Sequence, residues 1–443
     1  MMALEINTGD TAWVMVSAAL VLLMTPALAF FYGGMVRAFG VLNMMMMSII
    51  SMGTVGVLWI LYGYSEAFGN SIGGVVGNPF QYFGMRNLYG MAIDTTGDGK
   101  HDIPALVFVG FQAAFAIIAV ALVSGAVADR IKFSTWTVFT VVWATLVYFP
   151  VAHWVFAFDG VAAAHGGWIA NTVKAYDFAG GTAIHINAGT AGLALALVLG
   201  PRLGFGQRPM RPHNLTLVML GAGLLWFGWF GFNAGSALGA TPTAALAWIN
   251  TMVATCAAML AWLVTERIRD GHATSLGAAS GIVAGLVAIT PACASVSPVG
   301  AIVVGILAGA GCALAIGLKF KFGFDDALDV VGVHLVGGLI GTLAIGFLAT
   351  NDGVFYGGGF MQLGRQAIAA FAVLIYSFVV TYVIALALKA TMGLRLTSAA
   401  ELSGADINEH AEIGYDLSNV RYTNYQRVHS TVVVPGSKEE VHS

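Results

Sequence analysis

The sequence predicts an all-α polytopic membrane protein: eleven transmembrane helices, arranged as two inverted five-helix halves plus a final helix, N-terminus outside and C-terminus inside. Three observations predict it. Hydrophobic residues are 58% of 443 and charged residues 9%, where a soluble domain carries about 25% charge; mean hydropathy is +0.82. Charge-free apolar runs of membrane-crossing length, about 20 residues, recur along the whole chain. The basic residues fall mostly on one side of the alternation those runs define.

The runs cover roughly 11–36, 38–65, 103–128, 133–158, 178–201, 214–265, 273–318, 330–351 and 366–388. Two are too long for one helix. The first is expected to turn near Thr241-Pro242 and the second between Pro291 and Pro298, where proline ends a helix. That gives eleven spans. With the N-terminus outside, the inner side receives Arg37, Arg130, Lys132, Arg202, Arg208, Arg211, Arg267, Arg269, Lys319, Lys321, Lys389 and Arg395, plus Arg421, Arg427 and Lys438 of the tail. The outer side receives Arg86, Lys100, Lys174 and Arg365. Basic residues concentrate on the cytoplasmic side of membrane proteins, so the bias supports both the count and the orientation.

The first ten residues carry Glu5 and Asp10 and no basic residue. A signal peptide has a basic start, so the first run reads as a retained span. Two polar pieces remain: a Gly-rich outer loop over 66–102 with Glu66, Asp94, Asp98 and Asp102, and a cytoplasmic tail over 393–443 following a transmembrane domain over 1–392. Neither has the length of a catalytic domain. Cys256, Cys293 and Cys312 lie in apolar runs without ligand spacing and read as buried small hydrophobes. A net charge of −3 argues against a nucleic-acid partner, which needs a basic face. Most of the 57 glycines read as packing devices, since small residues let membrane helices approach closely.

Two segments repeat a pattern. Asp177 precedes His185, with Gly189 and Gly192 following; Asp329 precedes His334, with Gly338 and Gly341 following. They fall in the fifth and tenth spans. Inverted repeats place transport sites where the halves meet, so the histidines are expected to meet near the membrane centre. A single buried histidine is explained by a bond to a neighbouring helix. Two in matching contexts point to a pathway, because ionisable residues are rare in membranes. Asp177 and Asp329 sit where helix caps are favoured, and capping is their expected role. Two histidines without a thiol or membrane-embedded carboxylate do not make a closed metal site, so no metal or other cofactor is expected.

Five stretches then carry a resemblance: FYGGMVR at 31–37, FQAAFA at 111–116, DFAGGTAIHINAG at 177–189, GWFGFNAGSA at 228–237 and DDALDVVGVH at 325–334. In this order they resemble the Amt/Rh ammonium transporters, prokaryotic Amt type, over nearly all of 10–415. The tail GLRLTSAAELSGADINEHAEIGYDL resembles the family's regulatory segment. The resemblance implies a multi-pass protein of the cell membrane, a homotrimer with one pore per subunit, that carries ammonium or ammonia, with methylammonium a candidate further substrate. It implies Phe115, Phe156 and Ser236 at an outer recruitment site and Phe111 with Phe232 as the gate. It implies His185 and His334 as twin pore histidines, Trp229 beside the pore, and Asp177 as the supporting acid. PII signal proteins are the implied partner at the cytoplasmic face. Phe156 stands where the family usually has Trp, and Trp154, two residues earlier, is a candidate substitute.

These residue types suit the task. An aromatic face attracts a cation by about 0.5–2 kcal/mol, and a Ser hydroxyl accepts one N–H. A full charge in a narrow apolar pore is costly. Ammonium escapes that cost by shedding a proton, and potassium cannot. Two other classes compete with transport. An ammonium sensor on the same fold usually adds a signalling domain, for which the residues beyond Asp416 are few. An intramembrane enzyme needs a nucleophile beside a base, and no such pairing is visible; no enzymatic activity is expected.

Overall fold

The computed structural model describes residues 6–95 and 102–415. Lys100, Asp98, Glu5, Arg421, Arg427 and Lys438, used in the charge and loop reading above, lie outside the described residues. Ten helices among those described are long and apolar enough to cross a membrane. In chain order they are α1 (Thr8–Met35), α2 (Ala38–Phe68), α3 (Ala105–Val127), α4 (Phe133–Phe156), α5 (Gly181–Leu199), α6 (Leu215–Gly235), α7 (Pro242–Asp270), α9 (Pro298–Phe322), α10 (Val331–Leu348) and α11 (Met361–Thr391). Between α7 and α9 lies α8 (Ser275–Ile289), an apolar helix of 15 residues.

The helix starts follow from local chemistry. Asn7, Asn214, Thr241, Thr274 and Ser297 each accept a bond from a first-turn N–H, the usual role of a short polar side chain at a helix N-terminus. Pro242 and Pro298 sit in the first turns of α7 and α9, where a missing N–H costs nothing. The long runs therefore break near Thr241-Pro242 and after Pro291.

Two small antiparallel hairpins decorate the loop after α2: β1 (Ser71–Ile72) with β2 (Val76–Gly77), and β3 (Ala92–Asp94) with β4 (Asp102–Pro104). The chain after α11 does not trail away. A short helix, α12 (Ser398–Ser403), and the residues to Tyr415 pack on the loops at the tail end. Asp406 accepts from the Leu42 and Asn43 amides at 3.1 and 2.8 Å, Glu409 from the Phe133 amide at 2.8 Å, and Glu401 from the Leu203 amide at 2.6 Å. Carboxylates at the starts of α2 and α4 are favoured by the helix dipole. An unattached tail is thus not what residues 398–415 form.

α1 packs along α6, and α5 along the start of α10. The glycines following each histidine make the second contact possible. A Cβ on Gly189 would lie 2.4 Å from the Leu335 amide nitrogen, and one on Gly338 would lie 3.1 Å from the Gly181 carbonyl. The glycine four residues after each histidine thus lets the other half's helix approach. Gly341 does the same for α8, where a Cβ would meet the Ala288 carbonyl at 1.9 Å.

Candidate functional site

Both histidine helices open on a π-helical turn, Gly181–Ile186 and Val331–Leu335, a local widening that recurs at functional sites. An aspartate holds each turn. Asp177 accepts from the amides of Gly180, Gly181, Thr182 and Ala183 at 2.6–3.0 Å. In the second half the holding acid is Asp326, which accepts from Val330 and Val331 at 3.0 and 2.7 Å. This corrects the expectation for Asp329. Its backbone is left-handed, with φ 63°, and its carboxylate turns away to Lys319 Nζ at 2.6 Å.

The turns bring the rings together. His185 Nδ1 and His334 Nδ1 are 3.2 Å apart, with ring centroids 5.3 Å apart and planes 22° from parallel. One nitrogen must carry the proton and the other accept it. Trp229 stacks on His185 at 5.4 Å and is fixed by its Nε1 donating to Thr290 Oγ1 at 2.9 Å. Both histidines, Trp229 and Phe232 line a cavity of about 10 Å3 otherwise walled by Met24, Leu28, Ile118, Leu122, Leu225 and Val283. That is room for about one water-sized molecule.

A second cavity, of about 470 Å3, opens at the other side of an aromatic partition. Phe115, Phe156, Ser236 and Asp177 line it, with Phe108, Phe158 and Tyr176. The Ser236 hydroxyl donates to the Phe232 carbonyl at 2.8 Å. Its proton is committed, so its lone pairs are what remain for a ligand's N–H. The partition is the Phe115–Phe232 pair, with ring centroids 4.5 Å apart: Phe115 faces the large cavity and Phe232 the small one. Phe111, expected in the gate, stands behind Phe115 edge-on at 4.8 Å. It is fully buried, a Cβ on Gly235 would meet its ring at 3.1 Å, and it lines neither cavity. Trp154 does not stand in for Phe156. Its Nε1 donates to the Val75 carbonyl at 2.7 Å, its ring packs between Trp168 and Tyr376, and Phe156 alone of the two lines the cavity.

Below the histidines a third cavity, again about 10 Å3, is lined by His334, Phe31, Tyr32, Ser280 and Asp329. A fourth, of about 400 Å3, lies beyond it and is lined by Arg202, Arg208, Lys319 and Phe320. Sequence reasoning missed Asp326, Lys319 and Tyr32. The spacing held the signal for Asp326, which precedes His334 by the same interval that separates Asp177 from His185. Around the fourth cavity Arg202 grips Asp325 with Nε and Nη2, each at 2.8 Å, and Arg37 bonds Asp129 at 3.0 Å. Burial pushes the Asp325 carboxyl up, but the Arg202 bonds and the Arg130 charge outweigh it and hold it below the usual carboxylate range. No group of three His, Cys, Asp or Glu gathers for a metal among the described residues.

Apolar helices surrounding a row of cavities, with a histidine pair lining one of the two small ones, define a membrane protein with a candidate pore. Residues 12–415 match the sequence model of the Ammonium Transporter Family, and the chain belongs to that family as a multi-pass membrane protein. It is 62% identical to the "Ammonium transporter" of Mycobacterium bovis, over 93% of this chain and 91% of the relative. It is 46% identical to the one of Aquifex aeolicus, over 93% and 95%. Among solved structures it is similar to Mep2 of Saccharomyces cerevisiae, with a TM-score of 0.79 and 32% identity over 89% of each chain. It is also similar to a protein titled "Sensor Amt Protein", with a TM-score of 0.83 and 28% identity over 91% of this chain and 98% of that one.

Proposed function

We propose that this chain is an ammonium transporter that moves ammonia past twin histidines. Ammonium is drawn to the large cavity by the faces of Phe115 and Phe156 and the free lone pairs of Ser236. It gives up its proton to water in the open vestibule before the Phe115–Phe232 partition, because a charge is costly in the apolar cavity beyond. Ammonia then passes His185 and His334. Asp177 acts by holding the His185 turn, and Trp229 by holding the ring. The single observation that carries this reading is the histidine pair, 3.2 Å apart, lining a cavity sized for one small molecule. Metal-free hydrogen bonding and desolvation suffice for it, and no enzymatic step is invoked.

In the same reading α8 counts as a span, giving eleven, with two inverted halves and a final helix. The vestibule faces outward at the cell membrane, the tail from 393 onward is cytoplasmic, and three copies assemble. A PII protein is the proposed partner at the tail face. The second reading, a sensor on this fold, is favoured by the likeness to the structure titled as a sensor. Liposomes containing the protein decide between them. Under an ammonium gradient, flux that potassium cannot replace supports transport. Ammonium binding without flux supports sensing, and neither binding nor flux overturns both.

A further inference from the structure

An ion pair stands at the end of the row of cavities opposite the aromatic vestibule. Asp329 lines the small cavity that holds His334. Lys319 lines the next cavity, together with Arg202 and Arg208. Their Nζ–Oδ1 separation of 2.6 Å therefore spans the wall between the two. Both side chains are mostly shielded, 12% and 21% exposed, so solvent screens the charge only in part. The ammonium group is held by a second bond, to the Asp326 carbonyl at 3.0 Å. Asp329 sits in a left-handed conformation at φ 63°, costly for a residue with a Cβ; the conformation is held by its surroundings. The lining of the large tail-end cavity carries three cations and no acid. Two of these are paired, Arg202 with Asp325 at 2.8 Å and Lys319 with Asp329 at 2.6 Å, so removing the Lys319 charge would leave the Asp329 carboxylate unanswered beneath His334, and an unanswered carboxylate attracts cations.

We propose that the Lys319–Asp329 pair is a specificity gate at the tail end of the pore: its fixed ammonium bars cations from entering the histidine cavity from that side while a neutral molecule passes. The proposal rests on the pore reading above. It gives the pore two unlike barriers, an aromatic one at the vestibule and an ionic one at the tail. A small cation entering from the tail side must displace or approach a fixed positive charge. Ammonia leaving needs only a brief separation of the pair, with Asp326 and Asp329 still neutralised when Lys319 swings back.

Accessibility tests this without relying on transport. Ser280 lines the small cavity beneath His334 and is nearly buried. Ser280→Cys supplies the reporter thiol, with Cys256, which is exposed and not buried as its apolar run suggested, changed to Ser and the native Cys293 and Cys312 both buried. It is attacked from the tail side by silver ion, a monovalent cation, or by neutral methyl methanethiosulfonate, and the modified peptide is followed by mass spectrometry. Lys319→Gln is expected to speed silver about tenfold or more and the neutral reagent less than threefold, with Lys319→Arg restoring the slow silver rate. Equal acceleration of both reagents overturns charge selection, because it marks a merely loosened wall. Unchanged rates for both overturn the gate. Asp329→Asn, which keeps the shape, is the second variant if Lys319→Gln folds poorly. It frees the ammonium from its partner and is expected to slow silver further; a faster silver rate in this variant contradicts the proposal. Loss of ammonium flux with the silver selectivity intact overturns the transport reading and leaves the gate standing.

Discussion

The two halves of the molecule use one device in two electrostatic settings. In each, an aspartate holds a π-helical turn that presents a histidine, and a glycine four residues later admits the opposite helix. Asp177 takes four backbone amides. Asp326 takes two, and Lys319 stands against its own carbonyl and against Asp329. The vestibule end thus keeps an acid without a cation partner beside aromatic faces and a hydroxyl oxygen. The tail end has its acids answered by fixed lysine and arginine. The repeated turn supplies the histidine pair, and the charges around the two turns differ.

The comparison breaks at once if the histidines are not equivalent. His185→Ala and His334→Ala are each expected to lower ammonium-specific flux more than tenfold or to make liposomes leak potassium. Normal flux and normal potassium exclusion in both variants would remove the pair from the mechanism. The holding acids come next. Removing a carboxylate strands buried amides at roughly 1–3 kcal/mol each, so Asp177→Ala is expected to destabilise more than Asp326→Ala. Asn keeps one acceptor oxygen and part of the bonding, so Asp177→Asn is expected to retain more yield and flux than Asp177→Ala. Thermal unfolding in detergent ranks the variants. Equal loss of ammonium binding in Asp177→Asn and Asp177→Ala, with folding intact, would instead make the carboxylate itself a cation ligand.

Much of this was readable from the residues. Apolar runs give the long helices, Thr241-Pro242 and Pro298 mark the breaks, and the two histidines stand out because each is followed by glycines at the crossing interval. Three features were not. Asp329 is nearer His334 than the true holding acid, and only its left-handed backbone, set by tertiary packing, takes it out of reach of the turn. Phe111 and Phe115 lie one turn apart on α3, and sequence does not tell which ring meets Phe232. Tail docking depends on pairs such as Asp406 with the Asn43 amide, separated by 363 positions, a distance over which no local pattern operates.

The aromatic side of the comparison can be sharpened at the partition. Phe115→Ala joins the 470 Å3 cavity to the histidine cavity and is expected to change ammonium-over-potassium selectivity several-fold. Phe111→Ala leaves the partition in place. It costs stability, about 3–5 kcal/mol for a large buried ring, while the protein that folds keeps its selectivity. Paired flux and unfolding measurements separate the two, and a selectivity loss in Phe111→Ala alone would reverse the assignment of the gate.

The smallest expected effect concerns Phe156. Phe is a weaker cation–π partner than Trp, and Phe156 is half-buried in the vestibule wall, where a ring face adds to attraction without closing the path. Phe156→Trp enlarges that face inside a cavity with space for it. The gain is expected to be about 0.5–1 kcal/mol, which is about a two- to fivefold lower half-saturation for ammonium, since about 1.4 kcal/mol is tenfold. Phe156→Leu keeps an apolar wall and removes the quadrupole, and should raise half-saturation by a similar factor. Maximal flux should move little in either variant, because the step beyond the partition is untouched. Concentration-dependent flux in liposomes reads both quantities. Half-saturation unmoved in both variants would mean that the vestibule recruits through Ser236 and its shape alone, and the contrast between an aromatic end and an ionic end would then rest on the Phe115–Phe232 pair.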